Sequence, residues 1–307
     1  MAENTKIEWA THTLNPWTRC TPLSPACDNC YAETLVRRFA PKNMDPELVW
    51  GPKADRIRTS PANWNKVRTW DQKAKQRSVR DRVFVASLAD VFDNHKSIQQ
   101  EWRDDLWALI RDCQNLDFLL LTKRPQNIER YLPDDWADGY PNVWLGTTVE
   151  NQEEADRRIP KLLETPAPVH FLSCEPLLGP VNLFGYHHDY LKGWTCEPEC
   201  CGQPVAQYGE GPDGYPVAFG EECCGNPYPV QVQTHAIGWV ICGGESASDD
   251  KRRDLNPSWA RSLRDQCQAA DVPFLFKQHS GRNQPHIKSL GRALDGVEHN
   301  GYPKVAA

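Results

Sequence analysis

Short apolar runs alternate with amphipathic stretches over most of this chain. Residues 83–87, 118–122, 143–147, 169–173, 239–242 and 273–276 are apolar almost throughout, the pattern of strands buried on both faces. Residues 7–9 are a candidate for a further strand that opens the series. Between the strands, residues 99–112 put Trp102, Leu106, Leu109 and Ile110 on one helical face, and residues 127–132, 152–163 and 257–270 also read as helices. Strands separated by helices call for parallel crossover connections, hence an α/β fold: a doubly wound sheet, or a partial or complete parallel (β/α) barrel. The periodicity fails in residues 186–234, a stretch rich in Gly and Pro. The expected organisation is a barrel domain in residues 1–185 and 235–290, a Cys-rich insertion in 186–234 and a C-terminal tail in 291–307.

Each strand stays apolar up to its C-terminal end and turns polar directly after it. The ends run into Ser87 and Asp90; Lys123 and Arg124; Thr147, Thr148 and Glu150; Cys174 and Glu175; Gly243, Gly244, Glu245 and Ser246; and Lys277, Gln278 and His279. Parallel sheets and barrels bind ligands at that edge, so these groups are expected to converge on one site. Ser, Thr and Asp there also serve as helix caps whatever the function. Lys123, Glu175, Glu245 and Lys277 are harder to explain as caps and are the candidates for catalytic groups lining a pocket.

Composition narrows the class. The 307 residues include twelve Trp, nine Tyr and nine Phe, enough apolar area for a large core although only 39% of positions are hydrophobic. The net charge of -6 argues against general adhesion to nucleic acid. A local basic run from Arg56 to Arg82, interleaved with Trp64 and Trp70, reads either as a solvated helical face or as a surface for phosphates and stacked bases. The N-terminus has no apolar signal-peptide core, and no segment approaches the ~20 apolar residues of a membrane span. The expectation is a cytoplasmic protein without membrane contact, in which clustered thiols are metal ligands rather than disulfides.

Twelve cysteines fall into three groups. Cys20, Cys27 and Cys30 can hold three corners of a cubane iron-sulfur cluster and leave its fourth iron open, which a closed four-thiolate site does not. Cys196, Cys200, Cys201, Cys223 and Cys224 lie in the insertion, where four of the five suit a structural zinc that staples a loop poor in apolar residues; an auxiliary iron-sulfur cluster is the competing reading. Cys113, Cys174, Cys242 and Cys267 are isolated and read as small core hydrophobes.

The segments Lys6-Ile-Glu-Trp9, Asn15-Pro-Trp17, Cys20, Ser24-Pro25, Cys27 and Cys30-Tyr-Ala-Glu33 resemble the phage and prophage three-Cys-motif family of unknown function, of the gene-product 37 and gene-product 68 type. Further matches lie in Ser87-Leu-Ala-Asp-Val-Phe92, Leu121-Thr-Lys-Arg-Pro125, Leu145-Gly-Thr-Thr-Val-Glu150, Ser173-Cys-Glu-Pro-Leu177, Gly243-Gly-Glu-Ser246 and Phe274-Leu-Phe-Lys-Gln278, so the resemblance runs over nearly the whole chain. That family is in turn similar to radical S-adenosylmethionine enzymes acting on nucleobases, such as the spore photoproduct lyases.

The resemblance implies a radical-S-adenosylmethionine-type barrel with a 4Fe-4S cluster on Cys20, Cys27 and Cys30. It also implies an S-adenosyl-L-methionine cofactor, an external reductant, and a nucleic acid or nucleotide substrate that is modified or repaired; a partner protein encoded nearby is a further expectation. Carried over by position, Tyr31 packs near the cluster, and Asp90, Lys123, Thr147, Glu150 and Glu175 are candidates for binding the cofactor. The spacing departs from the usual one: Cys-x6-Cys-x2-Cys with Asn29 before the third cysteine, against Cys-x3-Cys-x2-Cys with an aromatic residue there. Gly243-Gly244-Glu245 follows a late strand, whereas the cofactor-binding Gly-Gly-Glu of those enzymes follows the second. The alternative is a nonenzymatic metal-binding module that recognises nucleic acid or a partner protein in a phage or defence system. A hydrolytic centre with Glu175, Glu245 and His279 as metal ligands is a third reading.

Overall fold

The structure is a computed structural model, which describes residues 2–185, 188–196, 208–210, 216–218 and 231–304. Seven strands form one all-parallel sheet: β1 (His12–Leu14), β2 (Asp81–Val85), β3 (Leu116–Thr122), β4 (Val143–Thr148), β5 (Val169–Cys174), β6 (Ile237–Gly243) and β7 (Phe274–Gln278). Their spatial order follows their chain order, so the sheet is singly wound and curls into a half-barrel. β1 and β7 are its two open edges, and the complete barrel left open by the sequence is not formed.

The strand period of two divides the sheet residues between two cores. Val83, Val85, Phe118, Leu120, Val143, Leu145, Leu172, Cys174, Cys242 and Phe276 face a layer of helices: α1 is Tyr31–Phe39 near the mouth, and α2 (Pro61–Arg77), α3 (Gln100–Asp112), α4 (Gln152–Leu163) and α5 (Pro257–Ala269) cover the sheet. Their starts are chemically marked: Asn151 caps α4 by accepting the Glu154 N–H at 3.0 Å, and Asn256 caps α5 ahead of Pro257. Cys113, Cys174, Cys242 and Cys267 are all buried in this layer, as expected of small core side chains.

On the concave face Phe84, Leu119, Trp144, Phe171, Trp239, Ile241 and Leu275 form a second core. At Gly146 a Cβ would stand 2.4 Å from the Phe171 ring, so only glycine admits that ring. Residues 7–9 are not a strand: Trp9 instead lies over the concave face, its ring 4.5 Å from Phe84, and pairing begins at His12. Residues 291–304 also pack onto the barrel. Gly301 donates to Phe274 O at 2.9 Å, Trp239 Nε1 to Gly301 O at 2.8 Å, and Tyr302 to Glu8 O at 2.8 Å.

The connection from β5 to β6 has no crossover helix among the described residues; Leu177, Val181, Leu183, Tyr190 and Leu191 bury themselves in its place. From there the insertion leaves through a small antiparallel sheet of Phe184–Gly185, His188–Asp189, Trp194–Cys196 and Gln231–Gln233. Cys196 is aligned with Gln231 at its base. Its side chain, like Cys200, Cys201, Cys223 and Cys224, lies outside the described residues. Among the described residues no helix is long and apolar enough to cross a membrane.

Candidate functional site

The chain leaves β1 and lays residues 19–31 across the C-terminal mouth of the half-barrel, tied down by groups from four strand ends. After β2, Ser87 O accepts the Tyr31 hydroxyl at 2.7 Å. After β3, Arg124 donates to Thr21 O at 2.9 Å and to the Cys20 sulfur at 3.6 Å. Following β4, the buried Glu150 accepts the Ala26 N–H at 3.2 Å while paired with Arg158 at 2.8 Å. Beyond β6, Glu245 accepts Asn29 Nδ2 at 2.9 Å; Arg253, itself bound to Glu245, reaches Pro25 O and Asp28, each at 2.9 Å. Apart from the neutral Tyr31–Ser87 bond, each fastening is a hydrogen bond to a charged group, the stronger kind.

The three cysteines are free and partly exposed in this segment. Cys20 sits over a buried network in which Arg124 binds Asp90 at 3.0 Å, Arg56 binds Asp93 at 2.6 Å, and Arg56 also donates to Thr21 Oγ1 at 2.7 Å. Burial, with the Asp90 charge adding to it, pushes the Cys20 thiol up to about 12. Cys27 ends a single 3-10 turn, Pro25–Cys27. Cys30 is the N-cap residue of α1; burial raises its thiol, while the backbone N–H groups of Glu33 and Ala32 and the Lys123 charge act the other way.

Among the described residues no three His, Cys, Asp or Glu side chains are grouped to hold a single metal ion. A cubane cluster asks for something different, because its three thiolates bind three separate irons and stand farther apart than ligands of one ion. The three thiols lie on one fastened segment, with Arg124 3.6 Å from the Cys20 sulfur and the Lys123 charge acting on Cys30. The hydrolytic arrangement is not assembled: His279 Nε2 bonds to Ala293 O at 2.9 Å, and Glu245 is taken up by Arg253 and Asn29.

The floor of the mouth belongs to Glu175. Its Oε2 accepts from Trp9 Nε1 and from Ser173 Oγ, both at 3.2 Å, and Lys277 Nζ lies 2.9 Å from Oε1. That contact spans β6, which lies between β5 and β7. It is possible because Gly243 has no side chain; a Cβ there would stand 3.0 Å from Oε1. Among the described residues Lys123 makes no hydrogen bond or ion pair through its ammonium, and it is half-buried within electrostatic reach of Cys30.

The remaining candidates are structurally committed. Asp90 accepts from Arg124, Thr122, and the N–H groups of Phe92 and Lys123, which leaves it no free acceptor direction. Thr147 shares the helix-side face of β4 with Leu145 and donates to Thr122 O at 2.8 Å. Burial alone would raise the Glu245 carboxyl, but Arg253 more than offsets this and holds it below its ordinary value. Glu150 and Glu245 therefore position the cysteine segment. Arg124, Arg56, Asp93, Asn29, Arg253 and Trp9 were not identified from sequence; only Arg124, adjacent to Lys123 in a strand-end motif, carried a signal.

In the basic run, Arg58, Arg68, Lys73, Arg77 and Arg80 pair with Asp105, Asp112, Glu3, Asp81 and Asp117, and Trp64 and Trp70 are buried. Five cations of the run are thus paired within the fold, and neither of its two indole rings is exposed.

No curated protein and no solved structure matches the chain. One family does, described as a protein of unknown function, DUF5131, and its match covers residues 4–303. A match over nearly the whole half-barrel, its cysteine segment and its insertion means that the chain belongs to the DUF5131 family.

Proposed function

We propose that this is an iron-sulfur enzyme of the radical S-adenosylmethionine type, with Cys20, Cys27 and Cys30 holding a 4Fe-4S cluster, that modifies or repairs a nucleobase or nucleotide. The observation that carries the reading is the fastening of the three-cysteine segment over the C-terminal mouth of a parallel half-barrel by Ser87, Arg124, Glu150 and Glu245. When bound, the cluster and S-adenosylmethionine would supply a carbon radical able to abstract hydrogen from the substrate.

The chain's own residues supply the rest. Arg124 places positive charge at Cys20, which favours the thiolate that a ligand must become. The N-terminus of α1 does the same for Cys30. Lys123, whose charge acts on Cys30 and whose ammonium has no partner among the described residues, is suited to a cofactor carboxylate. Glu175 and Lys277 then face the substrate, while the aromatic concave core closes the floor to water.

Metal and sulfide analysis of protein purified without oxygen tests the reading, followed by assay for 5'-deoxyadenosine after reduction. About four irons and four sulfides per chain, lost together in Cys20→Ser, Cys27→Ser and Cys30→Ser, are expected. A reconstituted cluster that never cleaves the cofactor refutes the enzymatic part. Zinc in place of iron at these cysteines refutes the whole and favours the nonenzymatic module.

A further inference from the structure

The apolar surface that this chain leaves in water is concentrated beside the cysteines. Of the ten large apolar side chains exposed among the described residues, six lie between Leu23 and Ile57. Three of them, Tyr31, Leu35 and Phe39, recur at i, i+4 and i+8 along α1 and so form one stripe about 12 Å long. Phe39 is 78% exposed and Tyr31 54%, and α1 buries only Ala32. Leu48, also exposed, stands on the turn Pro46–Val49, which Arg37 ties to α1 by donating to Pro46 O at 3.0 Å. Single apolar residues are ordinary on a surface, but a stripe along one helix face is the form that a partner covers.

Charge and position identify the partner. The chain is at -6 overall, yet on α1 the one carboxylate, Glu33, is taken up by Arg37 at 2.7 Å, and Arg38 and Lys42 make no ion pair among the described residues. Arg38, seven residues after Tyr31, stands on the flank of the stripe. A second copy of the chain would set these cations against each other, whereas an acidic partner is drawn to them. The patch is small for a stable interface, which takes roughly 20–30 residues a side, and suits the brief contacts of electron-transfer pairs. Cys30 is the N-cap of α1, and Tyr31, whose hydroxyl is anchored on Ser87 O at 2.7 Å, opens the stripe. A protein seated there abuts the thiol that would hold one iron, and electron transfer weakens steeply with distance.

We infer that the Tyr31–Leu35–Phe39 face of α1, flanked by Arg38, is the docking surface of an acidic one-electron carrier protein. One electron passes from carrier to cluster, oxidising the first and reducing the second, with no atom transferred. The inference rests on the cluster of the functional reading above, and not on the fate of S-adenosylmethionine or on any substrate.

Flavodoxin, an acidic one-electron carrier, tests it. Calorimetric titration of the full-length, anaerobically purified protein with flavodoxin should show binding that weakens as salt is raised. Leu35→Ser, Phe39→Ser and Arg38→Glu should each weaken it about tenfold, and Arg38→Lys should change it little. The same three variants should slow cluster reduction by reduced flavodoxin by about tenfold, while dithionite, a small anion that needs no docking surface, reduces all forms alike. These side chains are exposed, so unchanged urea midpoints are expected and confirm that the variants fold. Wild-type protein that does not bind flavodoxin, or variants that bind it as the wild type does, overturn the inference. So does a dimer that Phe39→Ser dissociates, or binding of phosphatidylserine vesicles in place of flavodoxin. Iron and sulfide content separates the two readings: protein without a cluster that still binds flavodoxin through α1 refutes the cluster and supports the surface, and cluster-loaded protein indifferent to flavodoxin refutes the surface alone.

Discussion

Replacing Arg124 with Met tests whether the cysteine segment is held by the charge network beneath it. Asp90 and Asp93 are 4% and 2% exposed, and Arg124 is the only ion-pair partner of Asp90 among the described residues. Removing one member of a buried pair costs about 3–5 kcal/mol, because the surviving charge is stranded. Three donors remain on Asp90, from Thr122, Phe92 and Lys123, and Arg56 remains on Asp93, which places the cost near the lower end, about 3 kcal/mol. At this chain length that is a fall of roughly 5 °C in Tm. Urea and thermal unfolding of the apoprotein measure it, with Arg68→Met as control. The Arg68–Asp112 pair is about half exposed on both sides, and its loss should cost under about 1 kcal/mol. Asp90→Asn in the Arg124→Met background should recover part of the stability, since it removes the stranded charge. If Arg124→Met matches the control, or if the two changes simply add, the network does not support the segment and the reasoning is refuted.

Other predictions concern pH and packing. Burial pushes the Cys20, Cys113 and Cys267 thiols up to about 12 from an ordinary 9.0. Between those values the unfolded thiols release protons that the folded ones retain, so the stability of the apoprotein falls as pH rises, by about 1.4 kcal/mol per unit for each thiol. Urea midpoints at pH 8 and pH 10 measure the slope, and an unchanged midpoint contradicts it. His170 is displaced the other way, to about 4 by burial, so its contribution is complete above its ordinary value of 6.5 and is lost as pH falls towards 4. His170→Gln should flatten that acid limb. Gly146→Ala forces a methyl into the Phe171 ring and should cost about 1–3 kcal/mol, partly recovered by Phe171→Leu; an unaltered Tm would show that the concave core yields. Gly244→Ala places its Cβ 2.3 Å from the backbone nitrogen of Ser280, and should displace Glu245 and expose Cys27 and Cys30 to faster alkylation by iodoacetamide. Alkylation at the wild-type rate would show that Glu245 does not fasten the segment.

The strands were legible because a buried parallel strand is apolar on both faces, and the helix over residues 152–163 because its caps and apolar stripe coincide. Residues 7–9 misled because the alternation of Ile7, Glu8 and Trp9 suits a half-buried strand as well as a lid, and Trp9 closes the concave face instead. The 291–304 segment looked like a tail because the side chains that dock it, Leu294, Asp295 and Tyr302, are scattered without a helical or strand period, and the Gly301 bonds are made by backbone. Among the site residues, Glu175 and Lys277 met at the mouth as strand-end position suggested. Asp90, Thr147, Glu150 and Glu245 occupy equivalent chain positions, yet their side chains are spent on Arg124, Thr122, Arg158 and Arg253.

By itself the sequence determined the α/β class, the polar C-terminal rim of the sheet and the three cysteines ahead of it, since periodicity and residue chemistry are local properties. Only the tertiary structure decided that the sheet is singly wound and open, and which rim residues fasten the cysteine segment and which face the mouth. Hydrogen-bond partners such as Asn29 and Glu245 lie hundreds of residues apart in the chain, and no local pattern records their meeting. Arg124 shows the same limit at the cysteines: beside Lys123 in sequence the two cations are equivalent, and only packing turns one onto Asp90 and Cys20 and leaves the other unengaged.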